Sequence, residues 1–350
     1  MSSRFLVLCT LAVACAAVTQ HNGRSMAKRQ TAVPSAGNLS LTKYPTFNEV
    51  VAYLNALQAK HPTLVRVSSA GKSVEGRDII FVRVSKNLSQ ESKPVMLVDA
   101  LMHAREWITL PAVLYFLQQV VEGSATSLLD DIDLVVVPVL NPDGYEYSRT
   151  KDRLWRKNRN TTNKKCPGVD LNRNFDYHWA DFIMSGGASD DPCDLQYAGG
   201  EAASEPETRN YQSLVRTLNK NKLIKMYVNL HSPEQAIFTP WGYSVTAPTL
   251  PDINKLNVIA KEANAAMVKA GAKSYAVENM AADYPSTGTV TDWVRGVAGV
   301  AQTFCLELPP GGDSKQEGFA VPTSEILPIS QQVFQGLKVF AKYASKPLTQ

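Results

Sequence analysis

The sequence predicts an α/β fold: a single domain built on a mixed, mostly parallel sheet with helices on both faces. Three observations carry this. Short β-branched runs alternate along the chain with longer segments whose apolar residues recur at helical spacing. Those runs are continuously apolar, as strands covered on both faces are. No repeat, low-complexity run or linker interrupts the sequence between Leu41 and the C-terminus, which leaves one domain over 41–350.

The elements follow in order. TFNEVVAYLNALQAK over 46–60 has the spacing of a helix, and the β-branched run at 79–84 reads as a strand. VMLVDAL at 95–101 is a second strand, 106–121 a second helix, and IDLVVVPVL at 132–140 a third strand. Helical spacing returns at 205–219, IKMYVNL at 224–230 is a strand, and 253–270 is again helical. Runs at 273–278 and 300–308 complete the strands, and 324–344 is a closing helix.

Before the domain, Arg4 precedes an apolar run from Phe5 to Ala17 that ends in small residues. About 13 apolar residues fall short of the ~20 needed to span a bilayer, so 1–19 reads as a secretory signal peptide and the protein as secreted, with no membrane anchor. Residues 20–40 form a polar tail containing Lys28-Arg29, expected to be flexible and to include a processing point or short propeptide. Cys9 and Cys15 leave with the leader. Of the remaining three cysteines, Cys166 and Cys193 lie in polar, loop-like sequence and are expected to form a disulfide worth roughly 3 kcal/mol. Cys305, in the apolar run TFCLEL, reads as a buried free thiol. Asn38, Asn87 and Asn160 stand in N-glycosylation sequons, as suits a secreted protein.

A composition of 44% hydrophobic and 19% charged residues excludes disorder, and a net charge of +4 is too mild to imply a polyanionic partner without a concentrated patch. One cationic stretch exists, KDRLWRKNR at 151–159, but Leu154 and Trp155 within it point to packing rather than to a nucleic-acid surface.

The residues that carry chemistry are His103 and Glu106 in HAREWIT, His231 far downstream, and Glu307 in CLEL. Two imidazoles and a carboxylate suit a catalytic zinc ion with one position left for water. A second carboxylate in an apolar strand is costly unless it has a task, which makes Glu307 the candidate general base. His103 follows the 95–101 strand, Glu106 is expected to open the next helix, and His231 ends the 224–230 strand, so all should meet at the carboxyl edge of the sheet. His21, His61 and His178 stand in no such context.

HAREWIT, NPDGYEYS, RLWRKNR, GVDLNRNFD, NLHSPEQAIFTPWGY, YPSTGTVTDW and TFCLEL occur in the order and close to the spacing found in zinc metallocarboxypeptidases. From about Tyr44 to Pro328 the chain resembles that family, in its digestive A and B type subgroup. The resemblance implies one zinc per chain on His103, Glu106 and His231, with Asp170 orienting a ligand imidazole. It makes Glu307 the proton shuttle and Arg156 the group that stabilises the oxyanion. It assigns Asn172 and Arg173 to the free C-terminal carboxylate, Tyr284 to a mobile ring closing over the substrate, and Arg105 to the chain upstream of the scissile bond. In the family the residue before the Asp-Trp pair largely decides which C-terminal side chain fits. Here it is Thr291, neither acidic nor aliphatic, which argues against a basic preference and for neutral, apolar residues. Ser286, Thr289, Val290, Gly242 and Cys305 match other pocket positions.

The chain departs from the family pattern in three places. LPPGGDSKQEGF follows the base, Pro233 stands where an aromatic is common, and a short tail stands where a folded inhibitory prodomain is usual. The expected activity is hydrolysis of C-terminal peptide bonds by a secreted monomer acting on peptides or proteins. An N-acyl amino acid deacylase would need the same ligands and clamp, and a non-catalytic peptide binder would keep the fold while losing Glu307 or Arg156, both of which are present.

Overall fold

The computed structural model describes residues 40–182, 186–282 and 284–346. Among them, eight strands form one sheet in the order β1-β2-β4-β3-β5-β8-β6-β7. The strands are β1 (Val65–Lys72), β2 (Asp78–Val84), β3 (Val95–Asp99), β4 (Asp133–Val137), β5 (Ile224–His231), β6 (Ala236–Thr239), β7 (Ala276–Asn279) and β8 (Gln302–Glu307). The central run β4-β3-β5-β8 is parallel throughout, as is β6-β7. The pairings β1-β2, β2-β4 and β8-β6 are antiparallel. The sheet is therefore mixed, with its parallel part at the centre.

Helices cover both faces, and the reason is visible within single strands. In β3, Met96 and Val98 enter one apolar cluster while Val95 and Leu97 enter the other. A strand that feeds two cores must be apolar at every position, which is why β3, β4 and β5 lack alternation. The first cluster is closed by α1 (Phe47–Lys60), α2 (Thr109–Val121), α6 (Ile253–Lys269) and α9 (Ile326–Ala344). The second is closed by α5 (Pro206–Leu218) and α7 (Val290–Gly296), and brings Tyr211, Trp293 and Val294 against the sheet. Short α3 (Leu128–Asp131) and α8 (Lys315–Gly318) lie in connections, and α4 (Pro142–Thr150) follows β4.

Local chemistry fixes the ends. Thr46 and Glu49 form a reciprocal capping box that starts α1. Pro142 begins α4, capped by the Asn141 side chain on the Gly144 amide.

The structure moves several expected boundaries. The second helix starts at Thr109, not at Glu106; 106–108 lie in a non-helical segment that begins where Leu101 takes a φ of +50°. The strand at 95–101 ends at Asp99 and that at 132–140 ends at Val137, because the chain must leave the sheet to build the loops there. The β1 and β6 strands and α4 and α7 helices were not expected from spacing. β1 is an edge strand with half-exposed positions, and β6 is four residues long. Cys166 and Cys193 form the expected disulfide, with Cα atoms 4.9 Å apart, and Cys305 is a buried free thiol.

Candidate active site

The carboxyl ends of β3, β5 and β8, neighbours at the centre of the sheet, open onto a cavity of about 870 Å³. His103 sits in the loop after β3, His231 ends β5 and Glu307 ends β8. The β5 and β8 strands pair in register so that His231 lies opposite Glu307.

Glu106 stands between the two imidazoles. Its Oε1 is 2.8 Å from Nδ1 of His103, and its Oε2 is 2.8 Å from Nδ1 of His231. One ligand atom from each of the three residues lies within 4.8 Å of the others, and all three side chains are buried. Asp170 lies behind them, fully buried, with Oδ1 3.0 Å from Nε2 of His103. The same oxygen accepts the Asn172 backbone N–H, so Asp170 also caps the short 3₁₀ turn at 171–173 that delivers Asn172 and Arg173. On His231, Nε2 accepts from the Asn172 amide at 3.3 Å.

Arg156 binds the other oxygen of Asp170 through Nε at 3.0 Å and Nη2 at 2.8 Å, which leaves Nη1 on the cavity side, 3.9 Å from Glu106. Burial alone would raise the Asp170 carboxyl, but the Arg156 guanidinium and His103 hold it well below the usual carboxylate range. Burial likewise opposes ionisation of Glu106, and the two imidazoles more than reverse it. Glu307 behaves differently. Desolvation and then the Glu106 charge push its carboxyl up to about 8.

Arg173 is buried but reaches the cavity, donating to the Gly187 carbonyl at 2.5 Å, the Asn172 carbonyl at 2.8 Å and Ser286 Oγ at 3.2 Å. Gly288 has to be glycine beside it, since its φ is +63° and a Cβ there would lie 2.3 Å from the Arg173 carbonyl oxygen. The Arg105 guanidinium stacks over Phe319 at 4.0 Å, and both line the cavity. Tyr284 is 48% exposed at the cavity edge, a position from which a ring can swing.

His103, Glu106, His231, Arg156, Arg105, Asn172, Arg173, Tyr284 and Glu307 thus line one cavity, with Asp170 behind them. Thr291 does not. It is fully buried on α7, its hydroxyl has no hydrogen-bond partner among the described residues, and it is not among the residues lining the cavity, nor are Val290 and Gly242. Ser286, Thr289 and Cys305 do line the cavity, and they are joined by Phe238 and Met280, two residues that sequence reasoning missed. Met280 packs its sulfur where a Cβ on residue 242 would stand, so Gly242 shapes the pocket by leaving room for Met280.

The cationic run is largely engaged within the fold. Arg153 lies over the Trp107 ring at 3.8 Å and Arg159 over Tyr147 at 3.6 Å, while Lys157 donates to the carbonyls of Pro192 and Asp194.

Two imidazoles and a carboxylate, converging in a buried cluster beside a half-buried glutamate and an open cavity, define a metallohydrolase site. The donor set fits zinc, and carboxypeptidase A is itself a standing example of it. Residues 50–336 match the zinc carboxypeptidase family, Peptidase_M14, and the chain belongs to that family. It is 35% identical to carboxypeptidase B of Astacus astacus over 307 residues, covering 86% of this chain and 97% of that protein. It is 32% identical to carboxypeptidase A2 of Rattus norvegicus, covering 88% of this chain and 72% of that one. Among solved structures, carboxypeptidase A from Helicoverpa armigera superposes with a TM-score of 0.83 at 31% identity, over 90% of this chain and 78% of that one. The protein is a metallocarboxypeptidase, a hydrolase of a family that acts on peptide C-termini and whose cofactor is zinc.

Proposed function

We propose that this is a secreted enzyme that removes single neutral, apolar residues from peptide C-termini, using one zinc ion held by His103, Glu106 and His231. The observation that carries the reading is the wall of the cavity. Phe238, Met280, Cys305, Ser286 and Thr289 line it together with Arg173 and supply an apolar and neutral surface; the carboxylates that also line the cavity are Glu106 and Glu307 at the ligand cluster and Asp194, Glu234 and Asp313.

Bound zinc would polarise the scissile carbonyl and lower the pKa of water. The chain's own residues do the rest. Arg173 pairs with the free carboxylate of the substrate, which sets the register of the last peptide bond. Arg156, fixed by Asp170, presents its Nη1 edge to the oxygen that gains negative charge. Glu307 takes a proton from the attacking water and passes it to the leaving amine, a task suited to a carboxylate whose proton affinity is raised. Tyr284 closes the cavity edge.

The leader at 1–19 lies outside the described residues, as do Asn38 and the tail as far as residue 39. Among the described residues, no helix is long and apolar enough to cross a membrane. Of the other sequons, Asn87 is exposed, with Oδ1 accepting from Ser89 Oγ at 2.6 Å. The Asn160 amide instead donates to the buried Glu205 carboxylate at 2.9 Å, so Asn87 is the better glycan acceptor.

The test is product analysis on peptides that differ only in their last residue, with and without a chelator. Chelator-sensitive release of single apolar residues is expected. Preferential release of Lys or Arg would overturn the pocket assignment.

A further inference from the structure

Asp99, at the carboxyl end of β3, has no place in the mechanism above. It is fully buried, and both its oxygens are occupied. Oδ2 accepts the hydroxyls of Tyr211 on α5 and of Tyr227 on β5, the latter at 2.7 Å, and Oδ1 accepts the side-chain amide of Asn229. All three donors are neutral. Among the described residues, no Lys, Arg or His side chain forms an ion pair with Asp99, in contrast to Asp170, which has Arg156. Three hydrogen-bonding groups stabilise an ionised carboxylate, but an ion removed from water without a counter-charge is expensive to bury.

The sheet shows where the counter-charge belongs. Asp99 pairs in register with Asn229, and Asn229 with Cys305. The next position on the same strand face of β5, about 6.6 Å further along, is His231. Tyr227, Asn229 and His231 point to one side of the sheet, so the Asp99 carboxylate lies one side chain behind the metal ligand set on that side. Burial raises the Asp99 carboxyl above its ordinary range, and the hydrogen bonds of the two tyrosines and Asn229 and the charge of His231 oppose that rise without reversing it.

We propose that Asp99 is a positioning and charge-balancing residue for the metal: its buried negative charge is compensated by the cation bound at His103, Glu106 and His231, and its bond to Asn229 holds the end of β5 that delivers His231. This rests on zinc binding at those three residues. It makes Asp99 part of the price of an empty site, since ionising it is costlier in the metal-free chain than in the loaded one.

The experiment compares wild type, Asp99→Asn and Tyr211→Phe, each stripped of metal and then titrated with zinc. It reads zinc affinity by chelator competition and Tm with and without zinc. Wild type must bind one zinc per chain with a clear rise in Tm; if it does not, the metal reading fails before Asp99 is tested. With that established, Asp99→Asn should bind zinc about 10 to 100 times more weakly, the range for residues that support metal ligands. Its metal-free Tm should be equal to or above that of wild type, so that the zinc-induced rise is smaller. The KM for peptide at saturating zinc should be unchanged, because Asp99 does not reach the cavity. Tyr211→Phe keeps the charge and removes a donor, and should act with opposite sign: a lower metal-free Tm and a zinc-induced rise at least as large as wild type. A merely structural role would lower Tm in both variants and leave zinc affinity unmoved, and that result overturns the proposal. If Asp99→Asn does not fold, a reduced zinc-induced rise in Tyr211→Phe overturns it as well.

Discussion

His231 and Glu307 occupy directly paired positions at the ends of two parallel strands, one a member of the buried His-Glu-His cluster and the other the residue read as the base. Their separation is therefore set by strand spacing, about 4.8 Å between backbones, and not by loops that could drift. Glu307 lies beside the ligand set without belonging to it: the clustered donors are His103, Glu106 and His231.

Glu307→Gln should separate binding from chemistry. The variant is expected to retain one zinc per chain and near-normal KM, while kcat falls by about 10²- to 10⁴-fold, the range for loss of a general acid–base group. Zinc content and steady-state kinetics on one peptide decide it, and a variant with full turnover would remove Glu307 from its role.

Met280→Ala should change which residue is released. Met280 forms a wall of the cavity and rests on Gly242, so truncation lengthens the pocket without touching Arg173 or the ligands. The ratio of kcat/KM for C-terminal Trp or Phe to that for Val is expected to rise by about tenfold, the scale of one or two methylenes in an apolar pocket. An unchanged ratio would place the determinant elsewhere.

Asp292 gives the fold a pH dependence. Its fully buried carboxyl accepts the backbone N–H groups of Gly242 and Tyr243, which favour the charge, but burial prevails and pushes it up to about 7. The folded chain then holds a proton that the unfolded chain releases near 4, so this contribution is full at low pH and is lost as pH rises from about 4 to about 7. Urea unfolding of the metal-free protein at pH 5 and pH 7.5 should show a larger drop for wild type than for Asp292→Asn. Equal drops would mean that Asp292 is ionised throughout.

Much of the fold was readable because burial on both faces leaves a plain mark. The runs that became β3, β4, β5 and β8 are apolar at consecutive positions, and little else in the chain is. β1 escaped because VRVSSAGK at a sheet edge mixes polar and apolar residues, and α4 because PDGYEYSRT holds its place through an Asn141 cap and Tyr145 rather than an apolar stripe. In the site, residues whose chemistry is scarce were recognisable: histidines beside a glutamate, an arginine beside an asparagine. Met280 and Phe238 were not, since an apolar wall is made of ordinary core residues that only the fold brings to a cavity. Thr291 shows the converse, a position singled out by motif that is fully buried and is not among the residues lining the cavity.

The order of the central strands also governs when activity can arise. Glu106 and His231 touch across 125 residues of chain, and the base arrives on a strand close to the C-terminal helix. Contacts of such long range form late, after large loops have closed. A chain that has made β3 and α2 but not β8 holds the first two members of the His-Glu-His cluster without Glu307, so the cavity acquires its full set of polar groups only when the sheet is closed by β8.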